Sequence, residues 1–84
     1  MSSESSKGNN PVLWEKLLNE LEDKLQLGLL DRLRRVAAYH FEGDILILEP
    51  GTDQDREYFK GKAINQTLRL FAEKVAKVEK VRID

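Results

Sequence analysis

The stretch Val36-Ala37-Ala38-Tyr39-His40-Phe41-Glu42-Gly43-Asp44-Ile45-Leu46-Ile47-Leu48-Glu49 decides the fold. Tyr39 and Phe41 alternate with small or polar neighbours, the period of a strand with one buried face. Glu42-Gly43-Asp44 offers a glycine where a tight turn needs positive φ. Ile45 to Leu48 is an unbroken β-prone run, expected to be buried on both faces. Together these segments predict a hairpin.

Two helical segments precede it. Asn10-Pro11 reads as an N-cap followed by the first helical position. Trp14, Leu17, Leu18, Leu21 and Leu25 then fall on one stripe of a helix of about four turns. Gly28 is expected to break that helix. Leu29, Leu30, Leu33 and Val36 resume helical spacing, predicting a second short helix from about Leu29 to Arg35.

After the hairpin, Pro50-Gly51 ends the second strand. Thr52 and Asp55 stand at capping-box spacing, so a helix should start near Asp53, with Gly61 bending or interrupting it. Ile64, Leu68, Phe71, Ala72 and Val75 continue at helical spacing, and Lys74 and Lys77 suit the last turn. Val81 and Ile83 alternate with Lys80 and Arg82, as in a charged edge strand. The expected fold is α+β in the order α-α-β-β-α-β, a three-stranded sheet packed on helices. Residues 1–10, MSSESSKGNN, hold no apolar side chain beyond Met1 and are expected to form a disordered tail or linker. Residues 11–84 then form a single interaction domain.

Composition narrows the chemistry. The 84 residues allow one modest core and little depth for a cleft. Fourteen Lys and Arg face fifteen Asp and Glu, without the basic excess usual in a non-specific nucleic-acid binder. The absence of cysteine removes disulfides, thiolate catalysis and cysteine-held metals. No apolar run is long enough to cross a bilayer and no signal peptide opens the chain, so a cytoplasmic protein without membrane contact is expected.

No motif names a reaction. His40 is the single histidine and has only Glu42 beside it on the same strand face. Asp53, Asp55 and Glu57 lack the glycine and distal glutamate of a calcium loop and read as helix N-terminal acids. Lys60-Gly61-Lys62 matches neither phosphate-binding glycine motif, and a KH-type domain would need a GXXG loop that this chain lacks. The reading is therefore a non-enzyme without cofactor, metal or small-molecule substrate. Two surfaces are candidates for partners. Trp14, with Leu17 and Leu21, could serve a protein interface, tryptophan being frequent at hot spots, although the core is the favoured place for this ring. Arg32, Arg34, Arg35, Lys60 and Lys62 could form a basic patch for nucleic acid or an acidic partner.

Leu13-Trp14-Glu15-Lys16-Leu17-Leu18, Phe41-Glu42-Gly43-Asp44-Ile45-Leu46-Ile47 and the terminal Val81-Arg82-Ile83 carry a resemblance. From Val12 to Ile83 the chain resembles two related bacterial replication domains, each as a pattern of elements. One is the C-terminal domain of DNA polymerase III gamma/tau clamp-loader subunits. The other is the N-terminal domain of the replication initiator DnaA. Initiator domains usually carry aromatic residues near the positions of Leu30 and Leu33. The approach to the hairpin, Leu33 to Gly43, is more similar to the gamma/tau type. The resemblance implies a non-catalytic adaptor whose partners are the replicative helicase, a polymerase subunit or, for the initiator type, another copy of itself. In the initiator family the tryptophan of the first helix lies on the self-association surface, and Trp14 matches it. A KH-like nucleic-acid-binding domain is the alternative.

Overall fold

A computed structural model describes residues 7–84. Its elements are α1 (Pro11–Asp23), α2 (Leu27–Arg34), β1 (Ala38–Glu42), β2 (Ile45–Glu49), α3 (Asp53–Lys60), α4 (Lys62–Ala76) and β3 (Lys80–Ile83). The fold is α+β, with the sheet packed against helices.

The hairpin forms as its sequence dictates. Glu42 pairs with Ile45 and Ala38 with Glu49 in an antiparallel register. Gly43 takes φ 60 at the first central position of the two-residue turn, where a II′ geometry requires glycine. β3 then pairs with β2 in parallel, Leu46 beside Val81 and Leu48 beside Ile83, giving the order β1-β2-β3. A parallel return needs a crossover, and α3 and α4 supply it.

Tyr39, Leu46, Leu48 and Val81 fill the inner face of the sheet, against Leu17, Leu21, Leu33, Phe59, Leu68 and Ala72 from the helices. Ile45 and Ile47 alternate with Leu46 and Leu48 and stay half-buried. The expectation that β2 is buried on both faces is thus corrected. Helices cover one side of the sheet, and the other side keeps an amphiphilic surface.

Asn10 caps α1, its side chain accepting from the Leu13 N–H at 3.1 Å, and Pro11 takes the first turn. Gly28 does not break this helix. It sits inside α2, and the break falls at Leu25, whose φ is 59. There the Gln26 N–H donates to the Leu21 carbonyl and the Leu25 N–H to the Glu22 carbonyl, a Schellman closure. Gly61 (φ −57, ψ 134) separates α3 from α4, so the crossover holds two helices where the sequence predicted one interrupted by Gly61. Gly51 is required by proximity, since a Cβ there would meet the Arg35 carbonyl oxygen at 2.5 Å.

The expected tail is corrected in part. Residues 1–6 lie outside the described residues, but residues 7–10 are laid along β1. The Tyr39 N–H donates to the Lys7 carbonyl at 3.3 Å, and Asn9 exchanges two hydrogen bonds with the Phe41 backbone. An edge strand carries unpaired N–H and C=O groups, and this polar segment meets the Tyr39 N–H and both Phe41 backbone groups.

Candidate functional site

The first helix does not offer its tryptophan. Trp14 is only 8% exposed, and Leu17 and Leu21 are buried more deeply. The Trp14 ring stacks on Tyr39 at 4.1 Å with 3° between planes, and Phe41 meets Tyr39 edge-on at 5.7 Å. Trp14, Leu17 and Leu21 therefore act as core residues, as the apolar stripe predicts, and their candidacy for a partner surface is corrected. Apolar contact with the sheet and α4 outcompetes the surface for these side chains. The Tyr39 hydroxyl is buried near the Asn10 backbone without a well-formed hydrogen bond. Burial pushes its phenol above the ordinary value.

Arg32 of α2 and Arg35 at its C-cap are spent on a carboxylate. Asp55, 2% exposed, accepts from Arg35 Nε at 2.7 Å and from Arg35 Nη2 at 3.0 Å. Arg32 Nε lies 3.7 Å from Asp55 Oδ1, and its guanidinium stacks over the Tyr58 ring at 3.8 Å. Asp31 adds a second carboxylate to Arg35 at 3.2 Å. The Arg35 hydrogen bonds hold the Asp55 carboxyl below its ordinary value against the opposing effect of burial. Arg35 is raised by the same contact.

This network joins α2 to α3. It answers only half of the expected capping box, because the Thr52 hydroxyl accepts from the Asp55 N–H while the Asp55 carboxylate turns to Arg35. Two of the five basic-patch residues are thereby neutralised. Arg34 lies two residues from Arg32 and so faces away from it on the helix. Lys60 and Lys62 are exposed on either side of Gly61. The patch read from sequence is not one cluster of unpaired cations.

His40 is exposed on the outer sheet face, and among the described residues no group of three His, Asp or Glu is placed to hold a metal ion. Asp53 pairs with Arg56. An open groove of about 550 Å³ lies between α1 and α4, lined by Lys16, Asn19, Glu20, Asp23, Lys74 and Val75. Lys74 spans it to Glu20 at 3.1 Å. Such a shallow charged groove suits contact with a surface better than enclosure of a small molecule.

The surface feature that folding does not explain is the α1–α2 turn. Leu25 is 77% exposed and Leu27 is 55% exposed, with Gln26 and Gly28 also open to solvent. Sequence periodicity assigned Leu25 to the buried stripe. The helix ends before Leu25, which leaves it outside. A left-handed backbone at a residue with a Cβ costs about 1–2 kcal/mol, and glycine is the usual occupant of this position. Leu25→Gly should therefore stabilise the fold by about 0.5–1 kcal/mol, the relief of strain less the added freedom of the unfolded chain. Urea denaturation of both proteins measures it, and a destabilised variant would show that the leucine supports the fold. Val12 on α1 and Leu70 on α4 are the other large exposed apolar side chains among the described residues.

No family model matches the chain, and no curated protein or solved structure matches it.

Proposed function

We propose that this chain is a non-catalytic protein-interaction domain of the bacterial DNA replication machinery, of the kind that ends polymerase III gamma/tau subunits. The observation that carries the interaction half is the exposed Leu25–Leu27 pair on a strained turn. Contiguous exposed apolar surface rimmed by polar residues marks a protein-interaction site. Lys24 and Gln26 supply that rim. The replication half rests on the resemblance of the Leu-Trp-Glu-Lys-Leu-Leu opening, the hairpin and the closing strand to those domains. On this reading the protein works in the cytoplasm, tethering a polymerase subunit or the replicative helicase.

The initiator-type reading, with self-association through Trp14, draws less support because the ring is stacked inside the core. The nucleic-acid reading draws less because Arg32 and Arg35 are engaged by Asp55.

The test is a binding titration of the full chain against the purified replicative helicase and polymerase subunit of the source bacterium. One of them should bind, and Leu25→Ser with Leu27→Ser should weaken that binding at least about tenfold, as loss of hot-spot anchors does. Failure of the wild type to bind either protein at about 100 μM, far above a specific micromolar affinity, would remove the replication assignment.

A further inference from the structure

The outer edge of β1 is occupied in an unusual way. Lys7-Gly8-Asn9 runs beside Tyr39-His40-Phe41 in the same direction, and the Tyr39 N–H donates to the Lys7 carbonyl at 3.3 Å. A side chain also takes part in the pairing. The Asn9 amide accepts from the Phe41 N–H at 2.8 Å and donates to the Phe41 carbonyl at 2.7 Å, as a backbone amide of a neighbouring strand would. Gly8 lies so close that a Cβ would overlap the Tyr39 carbonyl oxygen and meet the ring carbons at 2.6 Å. The edge thus selects two residue types in order, a glycine over Tyr39 and an amide side chain at Phe41. Lys7 Nζ adds a contact to the Arg34 carbonyl at 2.6 Å.

The segment inserts no apolar group into this site. Beneath it lies a Tyr39 ring that is 4% exposed and whose hydroxyl lacks a well-formed partner. A strand added to a sheet edge gains affinity from main-chain bonds and specificity from the side-chain environment, and both are laid out here.

We infer that the β1 edge is a strand-addition site for an extended peptide carrying Gly-Asn, and that Lys7 to Asn10 occupy it in cis. In the chain itself the strap leaves the edge at once, because Asn10 caps α1 and Pro11 begins it. A peptide in trans has no such turn and can extend the pairing along β1 towards Glu42. This inference adds a second surface to the interaction module proposed above. It is tested without the replication partners, so either reading can fail alone.

The experiment uses the full chain, its Asn9→Ala variant and its Gly8→Ala variant. The probe is a synthetic peptide of residues 5–10 extended by two valines. Amide exchange and amide chemical shifts are read at Tyr39 and Phe41. A tethered strap competes at an effective concentration on the order of millimolar, so the wild type should take up the peptide at least about tenfold more weakly than either variant. In both variants Phe41 N–H protection should fall, and peptide should restore it. A peptide with alanine in place of its glycine should not bind, because of the overlap at Tyr39. Unchanged Phe41 protection in both variants would overturn the strap assignment. Lost protection that millimolar peptide does not restore would overturn the strand-addition site.

Discussion

Phe59→Ala should cost about 3–5 kcal/mol, the range for deleting a fully buried aromatic ring. Phe59 is 0% exposed and is the only apolar side chain that α3 buries completely. It meets Tyr58 edge-on at 5.9 Å, so the void left by its loss is lined by a ring that cannot easily collapse into it. A domain of this size usually has a total stability near the lower end of about 5–15 kcal/mol. The variant should therefore be unfolded in a measurable fraction even without denaturant. Chemical denaturation followed by far-UV circular dichroism gives the number. A loss under about 1.5 kcal/mol would mean that α3 is not anchored through this ring.

Phe59 also marks where sequence reading stops. Strands and long helices announce themselves through repetition. β1 and β2 were legible from alternation and a turn glycine, and α1 and α4 from stripes of apolar residues three and four apart. α3 has eight residues and buries only Asp55 and Phe59, so its start was legible from the Thr52 and Asp55 cap spacing but its buried face, with too few residues for a period to show, was not. The same limit explains the arginines. Three of them in four residues look like a surface patch until Asp55, twenty residues on from Arg35, is brought against Arg35 and Arg32. The strap was missed for a different reason. Its hold on β1 comes from backbone groups of the strand edge, and no composition reports which backbone groups lack partners. Leu25 left its expected place in the buried stripe because the last turn of α1 closes before it, a boundary that periodicity alone does not fix, while Trp14 kept its place in that stripe. The exposed side chain that carries the interaction proposal is thus the one whose helical register broke.

The second large effect concerns the ion pair, and its two halves should behave differently. Arg35 has half its side chain in water, whereas the Asp55 side chain is 3% exposed. Removing Asp55 lets Arg35 and Arg32 turn to solvent. Removing Arg35 leaves a buried carboxylate with only Arg32, at 3.7 Å and without a hydrogen bond. Breaking a buried pair from the exposed side strands the charge that cannot move, so Arg35→Met should destabilise more than Asp55→Asn. We expect Arg35→Met to rank second only to Phe59→Ala. The pH dependence separates this account from simple loss of packing. In the wild type the Asp55 carboxyl is held low by Arg35, so its contribution is present above the ordinary carboxylate value and is lost as pH falls through the lowered one. In Arg35→Met the hydrogen bonds and the charge that do most to lower the carboxyl are gone, so its acid-linked loss of stability shrinks. The stability gap between wild type and Arg35→Met should be widest near neutral pH and narrow steadily towards about pH 4. Asp55→Asn removes the titrating group and should lack the carboxylate-linked change. Denaturation midpoints of the three proteins from pH 7 down to pH 4 decide it. A gap of constant width would show that Arg35 stabilises the α2–α3 contact through its aliphatic stem and not through the Asp55 charge.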